Sequence, residues 1–448
     1  MKLILYYKMN NFKPLSISLS PNVQKDDVKL AFNLILRPWL WLKHKKTNSV
    51  ALLEEELRQY LGVKYAVSFN SGRSALYAIL KSLNVQKNEN VFLQAFTCNA
   101  AINPILWSEA LPAYVDCDTQ TFNIDVEDLK NKIEQQKKQG KPARILMVQH
   151  TFGLPANMDK VLDIVRQNNL ILIEDAAHAL GAEYHGKKVG TFGNVGFFSF
   201  SRDKVISSVY GGLAVTNDDT IGESLKKLQK QFGKPSMFWT FQQLLHPILL
   251  QYFILPIYDF FDLGKIFLVL SQWLHILSKA VHWKEKRGQR PDYFPKALPN
   301  ALAALALNQF RKLDKFYEHR RRISRYYYEN LKGTAFNVSD ELLSDNLSLE
   351  KVRHSFLRFT VKHKQAHEII YEAWHLPDRQ AGKQNILLGD WYTTVIAPFD
   401  TKLNEMHYQK GMCPNAEWLA TRTLNLPTHI NVSQKDAERV VNFLKQFK

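Results

Sequence analysis

A chain of 448 residues, 46% of them hydrophobic, can bury a large core and reads as one large and one smaller domain. Its formal charge of +17 suits nucleic acid, a membrane surface or an anionic substrate. The Lys and Arg are spread along the chain with no zinc-finger, RNP or helix-turn-helix pattern, so nucleic acid is set aside. Three cysteines, Cys98, Cys117 and Cys413, odd in number and without CxxC spacing, argue against a disulfide framework or a zinc cluster and for a reducing cytoplasm.

Residues 1–48 read as an N-terminal arm. Its first residues, MKLILYYKMNNFKPLS, are too short and too polar an apolar patch for a secretory signal. The arm ends in an apolar, aromatic run from Leu30 to Leu42, expected to pack against the main domain or a partner subunit. Residues 49–61 space apolar groups for a helix, with Glu54 and Glu56 early in it. Val63–Phe69 alternates as a strand, Asn70-Ser71-Gly72-Arg73-Ser74 turns, and a helix runs on to Leu83. Strand, small-residue turn, helix is an arrangement whose unpaired N–H groups can hold a phosphate. Further strands are expected at Val91–Thr97, from Ala113, and at Ile145 to His150, with Asn157-Met158-Asp159 capping another helix. Strands alternating with helices at this pace predict an α/β fold with a mainly parallel, helix-covered sheet. No GxGxxG or Walker pattern points to nucleotide redox or phosphoryl transfer.

The segment 170–216 is the most informative. Leu170-Ile171-Leu172-Ile173 is an unalternating apolar run, as in a strand buried on both faces, and it ends in Glu174-Asp175. Asp175 thus sits at the carboxyl end of a strand, where open α/β sheets place their ligands. A strand at 195–200 follows, then Lys204, then Gly211-Gly212 turning into Leu213-Ala214-Val215. A carboxylate, a hydroxyl and a lysine gathered at strand ends suit pyridoxal 5'-phosphate, which needs an amine for its carbonyl, an acid for its ring nitrogen and donors for its phosphate. No metal site is expected.

Residues 235–290 read as an insertion. From Pro235 to Tyr258 there is no Asp, Glu, Lys or Arg for about two dozen residues, enough to reach across a bilayer if helical. Pro247 and Pro256 break it, and a second apolar segment runs Ile266–Leu277. Two readings stand side by side: an interfacial hairpin at a membrane surface, on the inner face for a cytoplasmic protein, or a helical subdomain buried in a dimer. From Ala297 to Leu331 helical periodicity is sustained, and Asp436–Phe447 reads as a last amphipathic helix.

The stretch EDAAHALGAEYHGKKVGTFG, followed by FFSFSRDKVIS and GG, resembles the signature of the DegT/DnrJ/EryC1/StrS family of sugar aminotransferases, roughly EDAAxAxGAxYKGKxVGxxGDxxxFSFxxxKxxxxxxGG. The resemblance runs from about residue 50 to the end, the insertion excepted. It implies a fold-type I transferase with a seven-stranded-type sheet: a cofactor domain over 49–234, a connecting helix over 291–330 and a small α/β domain over 331–448. It implies Lys204 as the lysine that carries pyridoxal phosphate, Asp175 as partner of the ring nitrogen and His178 beside the ring. Ser71, Gly72 and Ser199 are implied at the phosphate. Arg73, in place of the family's usual Thr, adds a charge contact there, and Phe96 is expected to stack on the ring. An amino-acid donor, glutamate by analogy, a nucleotide-linked keto-sugar acceptor and a homodimer follow from the same resemblance. Two rivals are weighed. The family's dehydratase branch replaces the lysine with His, which Lys204 opposes. The other is a non-catalytic membrane-associated or regulatory protein that keeps the fold.

Overall fold

The computed structural model describes residues 13–39, 48–338, 352–375 and 385–448. Residues 1–12, and the last residues of the apolar run ending at Leu42, lie outside these.

Seven strands make one sheet: β1 (Tyr65–Phe69), β2 (Asn90–Gln94), β3 (Leu111–Val115), β4 (Ile145–Gln149), β5 (Ile171–Asp175), β6 (Val195–Ser199) and β7 (Gly212–Thr216), in the order β1-β7-β6-β5-β4-β2-β3. Only β7 runs antiparallel to its neighbours, β6 and β1. The other four pairings are parallel. Alternation along β4 shows why the strands are apolar throughout. Leu146 and Val148 enter one core and Ile145 and Met147 the other, so both faces of the sheet are covered.

Helices follow from local signals. Ahead of the sheet come α1 (Lys25–Leu36) and α2 (Ser49–Leu61). Asn48 accepts a bond from the N–H of Ala51 to cap α2, Gly62 ends it at φ 64°, and Leu53, Leu57 and Leu61 face inward. Glu54 does not serve the helix start. It accepts from the N–H and hydroxyl of Ser68, tying α2 to β1. Next are α3 (Gly72–Ser82), α4 (Asn99–Trp107), α5 (Val126–Lys138) and α6 (Met158–Asn168), the last capped by Asn157 as expected. After β7 comes α7 (Asp219–Phe232).

The insertion is a hairpin. Within it α8 (Met237–Leu249) loosens into a π-turn at Leu250–Ile254 and a 3-10 turn at Leu255–Ile257 before α9 (Leu263–Trp273). No helix among the described residues is long and apolar enough to cross a membrane.

The sustained periodicity of 297–331 resolves into two helices, α10 (Asn300–Phe310) and α11 (Leu313–Leu331), where one was expected. Lys312 leaves helical backbone (φ −106°, ψ 6°), and its ammonium is held by Asp26 at 2.7 Å and Asp27 at 3.1 Å on α1. A small antiparallel pair, β8 (Phe359–Lys362) with β9 (Thr423–Leu426), packs with α11, α12 (Ala366–His375) and α14 (Gln434–Leu444) around Tyr327, Val361, Ile369 and Val440. Just before β9 lies α13 (Pro414–Ala420). The last helix starts two residues earlier than expected because Ser433 and Asp436 form a capping box.

Candidate active site

Strand β5 delivers its two acids to opposite sides, since successive strand residues point to opposite faces. Glu174 is fully buried and accepts from the N–H groups of Gly190, Phe192 and Gly193 at 2.8, 2.5 and 2.6 Å, and pairs with His150 at 3.1 Å. Its part is structural. Asp175 faces a cavity of about 240 Å³ at the carboxyl ends of β4, β5 and β6. It accepts only from the Ala177 N–H (3.0 Å) and has no ion pair among the described residues. Burial lifts its carboxyl to about 6.

Lys204 lines the same cavity, on the loop after β6. Burial pushes its ammonium below the ordinary lysine range, and no carboxylate salt-bridges it among the described residues. Its Nζ rests 4.3 Å from the centroid of the Trp391 ring. The loop is held from outside the sheet: Asn22 of the arm donates to the carbonyls of Lys204 (2.5 Å) and Val205 (3.0 Å) and accepts from Arg320 at 2.8 Å.

His178 is buried, stacked on Phe152 (6.1 Å, 3°) and Trp391 (5.3 Å, 22°). Burial, then the charges of Lys204 and Arg358, hold it well below the usual histidine range, so the ring is neutral. Its Nδ1 accepts from the Phe152 N–H at 3.3 Å, which leaves the proton on Nε2.

The same cavity is lined by the start of α3. Ser71 caps it by accepting from the Ser74 N–H at 3.0 Å. Ser71, Gly72 and Ser199 all line the cavity. The fit there demands glycine. A Cβ on Gly212 would lie 2.4 Å from the N of Gly72, and one on Gly72 would lie 3.0 Å from Cβ of Ser199. The helix start is thus pressed onto β6 and β7 at the cavity wall.

Two expectations need correction. Arg73 lines the cavity, but its guanidinium is taken by Glu285 in a buried ion pair and lies over the Phe294 ring at 4.6 Å. It is a link to the segment after the hairpin, and its charge is already balanced. Phe96 is fully buried beneath the site, at φ 58°, against Phe122, Phe152 and Tyr392, and Thr97 and Cys98 line the cavity in its place.

Several lining residues carry no local signal in the sequence. Arg202 is 8% exposed, donates to the carbonyl of Ser278 at 2.8 Å and to its hydroxyl, and keeps its Nε without a partner among the described residues. Trp391 and Tyr392 arrive from the C-terminal part, and Arg358 lies over Trp391 at 3.7 Å while bonding Asp203 at 3.3 Å. Among the described residues no group of His, Cys, Asp and Glu could hold a metal ion.

A buried acid and a half-buried lysine, neither with a salt-bridge partner among the described residues, face one cavity that also offers hydroxyls and a helix N-terminus. This donor set fits pyridoxal phosphate, and with the sheet it defines a fold-type I enzyme of that cofactor. The profile of the DegT/DnrJ/EryC1/StrS aminotransferase family matches residues 37–244 and 283–445. GDP-perosamine synthase of Caulobacter vibrioides is 27% identical over 393 residues, covering 88% of each chain. Spore coat polysaccharide biosynthesis protein SpsC of Bacillus subtilis is 25% identical, covering 98% of this chain and 97% of its own. A family aminotransferase from Brucella abortus, solved by crystallography, superposes with a TM-score of 0.69 at 22% identity over 94% of this chain and 95% of that one. The chain belongs to the DegT/DnrJ/EryC1/StrS aminotransferase family, and it is a pyridoxal-phosphate-dependent aminotransferase.

Proposed function

We propose that the enzyme moves an amino group from an amino acid, glutamate, to a nucleotide-linked keto-sugar for envelope or secondary polysaccharide synthesis, as a homodimer in the cytoplasm. The observation that carries this reading is the pair Asp175, buried, and Lys204, half-buried, which line the same cavity with no salt-bridge partner among the described residues. The names of the relatives, a GDP-perosamine synthase and a UDP-N-acetyl-3-dehydro-glucosamine aminotransferase among them, support a nucleotide-sugar acceptor.

In this reading Ser71, Ser199 and the N–H groups at the start of α3 would hold the cofactor phosphate, Asp175 would face the ring nitrogen, and Lys204 would supply the amine for the carbonyl. Bound there, the cofactor supplies a ring that draws off the electrons of the bond broken at the donor's Cα. Desolvation disfavours the charged form of Lys204, so its Nζ is better suited to attack a carbonyl and to take the donor's Cα proton. An ionised Asp175 keeps the proton on the ring nitrogen. Neutral His178 presents an N–H from a ring fixed between Phe152 and Trp391, while Trp391 limits water at the lysine.

The test is the visible absorption of the purified protein and of Lys204→Ala, before and after glutamate. A yellow wild type that bleaches on glutamate, beside a variant that does not, is expected. A wild type that stays colourless with added pyridoxal phosphate would overturn the reading. A keto-sugar nucleotide that restores the colour of the bleached enzyme identifies the acceptor.

A further inference from the structure

Sixteen of the twenty-five large apolar side chains exposed among the described residues lie between Met237 and Trp283. That is about a tenth of the chain, so this is a patch and not the usual scatter of single exposed apolar groups. The orientation of α9 is the telling detail. Its buried residues are the small ones, Gly264 and Ser271, while Ile266, Val269, Leu270 and Trp273 point outward. Gly264 lets the helix sit directly on the π-turn, since a Cβ there would lie 2.4 Å from the Ile254 carbonyl oxygen. A surface helix ordinarily turns its large apolar side chains toward the body of the protein. Here the arrangement is reversed, with Phe261 82% and Trp273 74% exposed. The patch continues onto a second segment, because α1 packs on α8 and leaves Phe32 and Leu36 exposed.

We propose that this surface docks on an anionic lipid bilayer, lying in its interface without crossing it. Charge selects the occupant. The hairpin's acids, Asp259 and Asp262, both hold Lys265, at 3.0 and 2.8 Å. Exposed cations stand beside the apolar stretches: Lys29 and Arg37 on and after α1, Lys234 and Lys279 at the two ends of the hairpin, and Arg287 over the Trp283 ring at 5.8 Å. None of these five is in an ion pair among the described residues. An apolar face bordered by unpaired cations complements acyl chains beneath anionic headgroups. A second copy of the chain is a poorer match, because a two-fold contact through this patch sets the same cations against themselves. Helices α8 and α9, 13 and 11 residues long, suit an interfacial position and are too short to span. The docked surface leads directly into the active site: Ser278 bonds Arg202, the Lys279 carbonyl accepts from the Tyr210 hydroxyl at 2.6 Å, and Ala280 and Val281 line the cavity.

The experiment is co-sedimentation of the full-length protein with vesicles of phosphatidylcholine alone and of phosphatidylcholine with phosphatidylglycerol. Phe261→Glu/Trp273→Glu and Arg37→Glu/Lys279→Glu are run beside the wild type. Each sample is also sized by gel filtration and checked for cofactor absorbance. The wild type is expected to partition at least tenfold more strongly onto the anionic vesicles. Each rim cation lost lowers that partitioning by about fivefold, and the Phe261/Trp273 variant loses it, with size and absorbance unchanged. Failure of the wild type to bind either vesicle overturns the proposal, as does binding indifferent to the Phe261/Trp273 change. A Phe261/Trp273 variant that falls to a smaller species with vesicle binding unaltered overturns it too, and assigns the patch to contact between copies. Because the cofactor absorbance is read separately, failure here leaves the reading of the cavity standing.

Discussion

The cavity wall and the hairpin depart from the ordinary partition of side chains in opposite senses. Around β5 and β6, ionisable groups are withdrawn from solvent with no salt-bridge partner among the described residues: Asp175 and Arg202 are buried, the latter with its Nε free, and Lys204 is half-buried. In the hairpin, large apolar groups are exposed with nothing over them among the described residues. Each departure costs free energy in the isolated chain, and each marks a missing partner by its chemistry, polar and charged in one case, apolar and anionic in the other. Arg73 and Glu285 join the two regions. Their buried ion pair fastens the start of α3 to the segment that follows the hairpin.

The largest effect expected is at the cavity. Lys204→Ala should remove the visible band and lower the glutamate half-reaction by about a thousandfold or more, measured in single-turnover absorbance. Retained turnover would break the comparison, because a lysine held half-buried in the cavity would then have no chemical reason to be there. Next comes the link between the regions. Glu285→Ala strands a buried guanidinium and should cost about 3–5 kcal/mol in urea unfolding. A cost under about 1 kcal/mol would mean that the two regions are not joined through it.

Asp175→Asn sharpens the contrast through pH. The folded chain holds the Asp175 proton up to about 6, whereas the unfolded chain loses it near 3.8. The stability that proton contributes is therefore full below 3.8 and gone above 6. In the cofactor-free protein at pH 8 the variant should be the more stable by on the order of 3 kcal/mol. The gap should close as pH falls through that window, in urea titrations at several pH values. An unchanging gap would place the cost elsewhere. The smallest effect belongs to the hairpin surface. Phe261→Glu/Trp273→Glu should leave unfolding within about 0.5 kcal/mol of wild type, since these side chains are exposed. A large loss of stability would show that the patch is covered in the native state.

Much of the fold and of the site's centre was legible because it is encoded locally. Strand β5 announces itself by its apolar run, and Asp175, His178, Ser199 and Lys204 stand at fixed short spacings around it. The Asn157 cap needs only three residues of context. What failed depends on distance along the chain. Arg73 meets its acid 212 residues away, so an arginine beside a phosphate loop looked free to bind one. Phe96 and Trp391 are both aromatic, and nothing near either says which will reach the cavity, because Trp391 is brought there by the packing of the C-terminal part. The hairpin was legible as apolar and broken by prolines. Its inverted helix was not, because outward orientation is decided by what Gly264 and Ser271 pack against.

Asn22 shows that the family's boundaries and the working unit's boundaries do not coincide. The profile match begins at residue 37, yet the carbonyls of Lys204 and Val205 are held by a side chain fifteen positions upstream of that start. A version trimmed to the recognised homology region would retain every signature residue, the whole sheet and Lys204. It would also leave the loop that aims this lysine with two bare acceptors and Arg320 without its Asn22 partner. The arm is thus part of the wall that supports the Lys204 loop, although no motif would lead anyone to keep it.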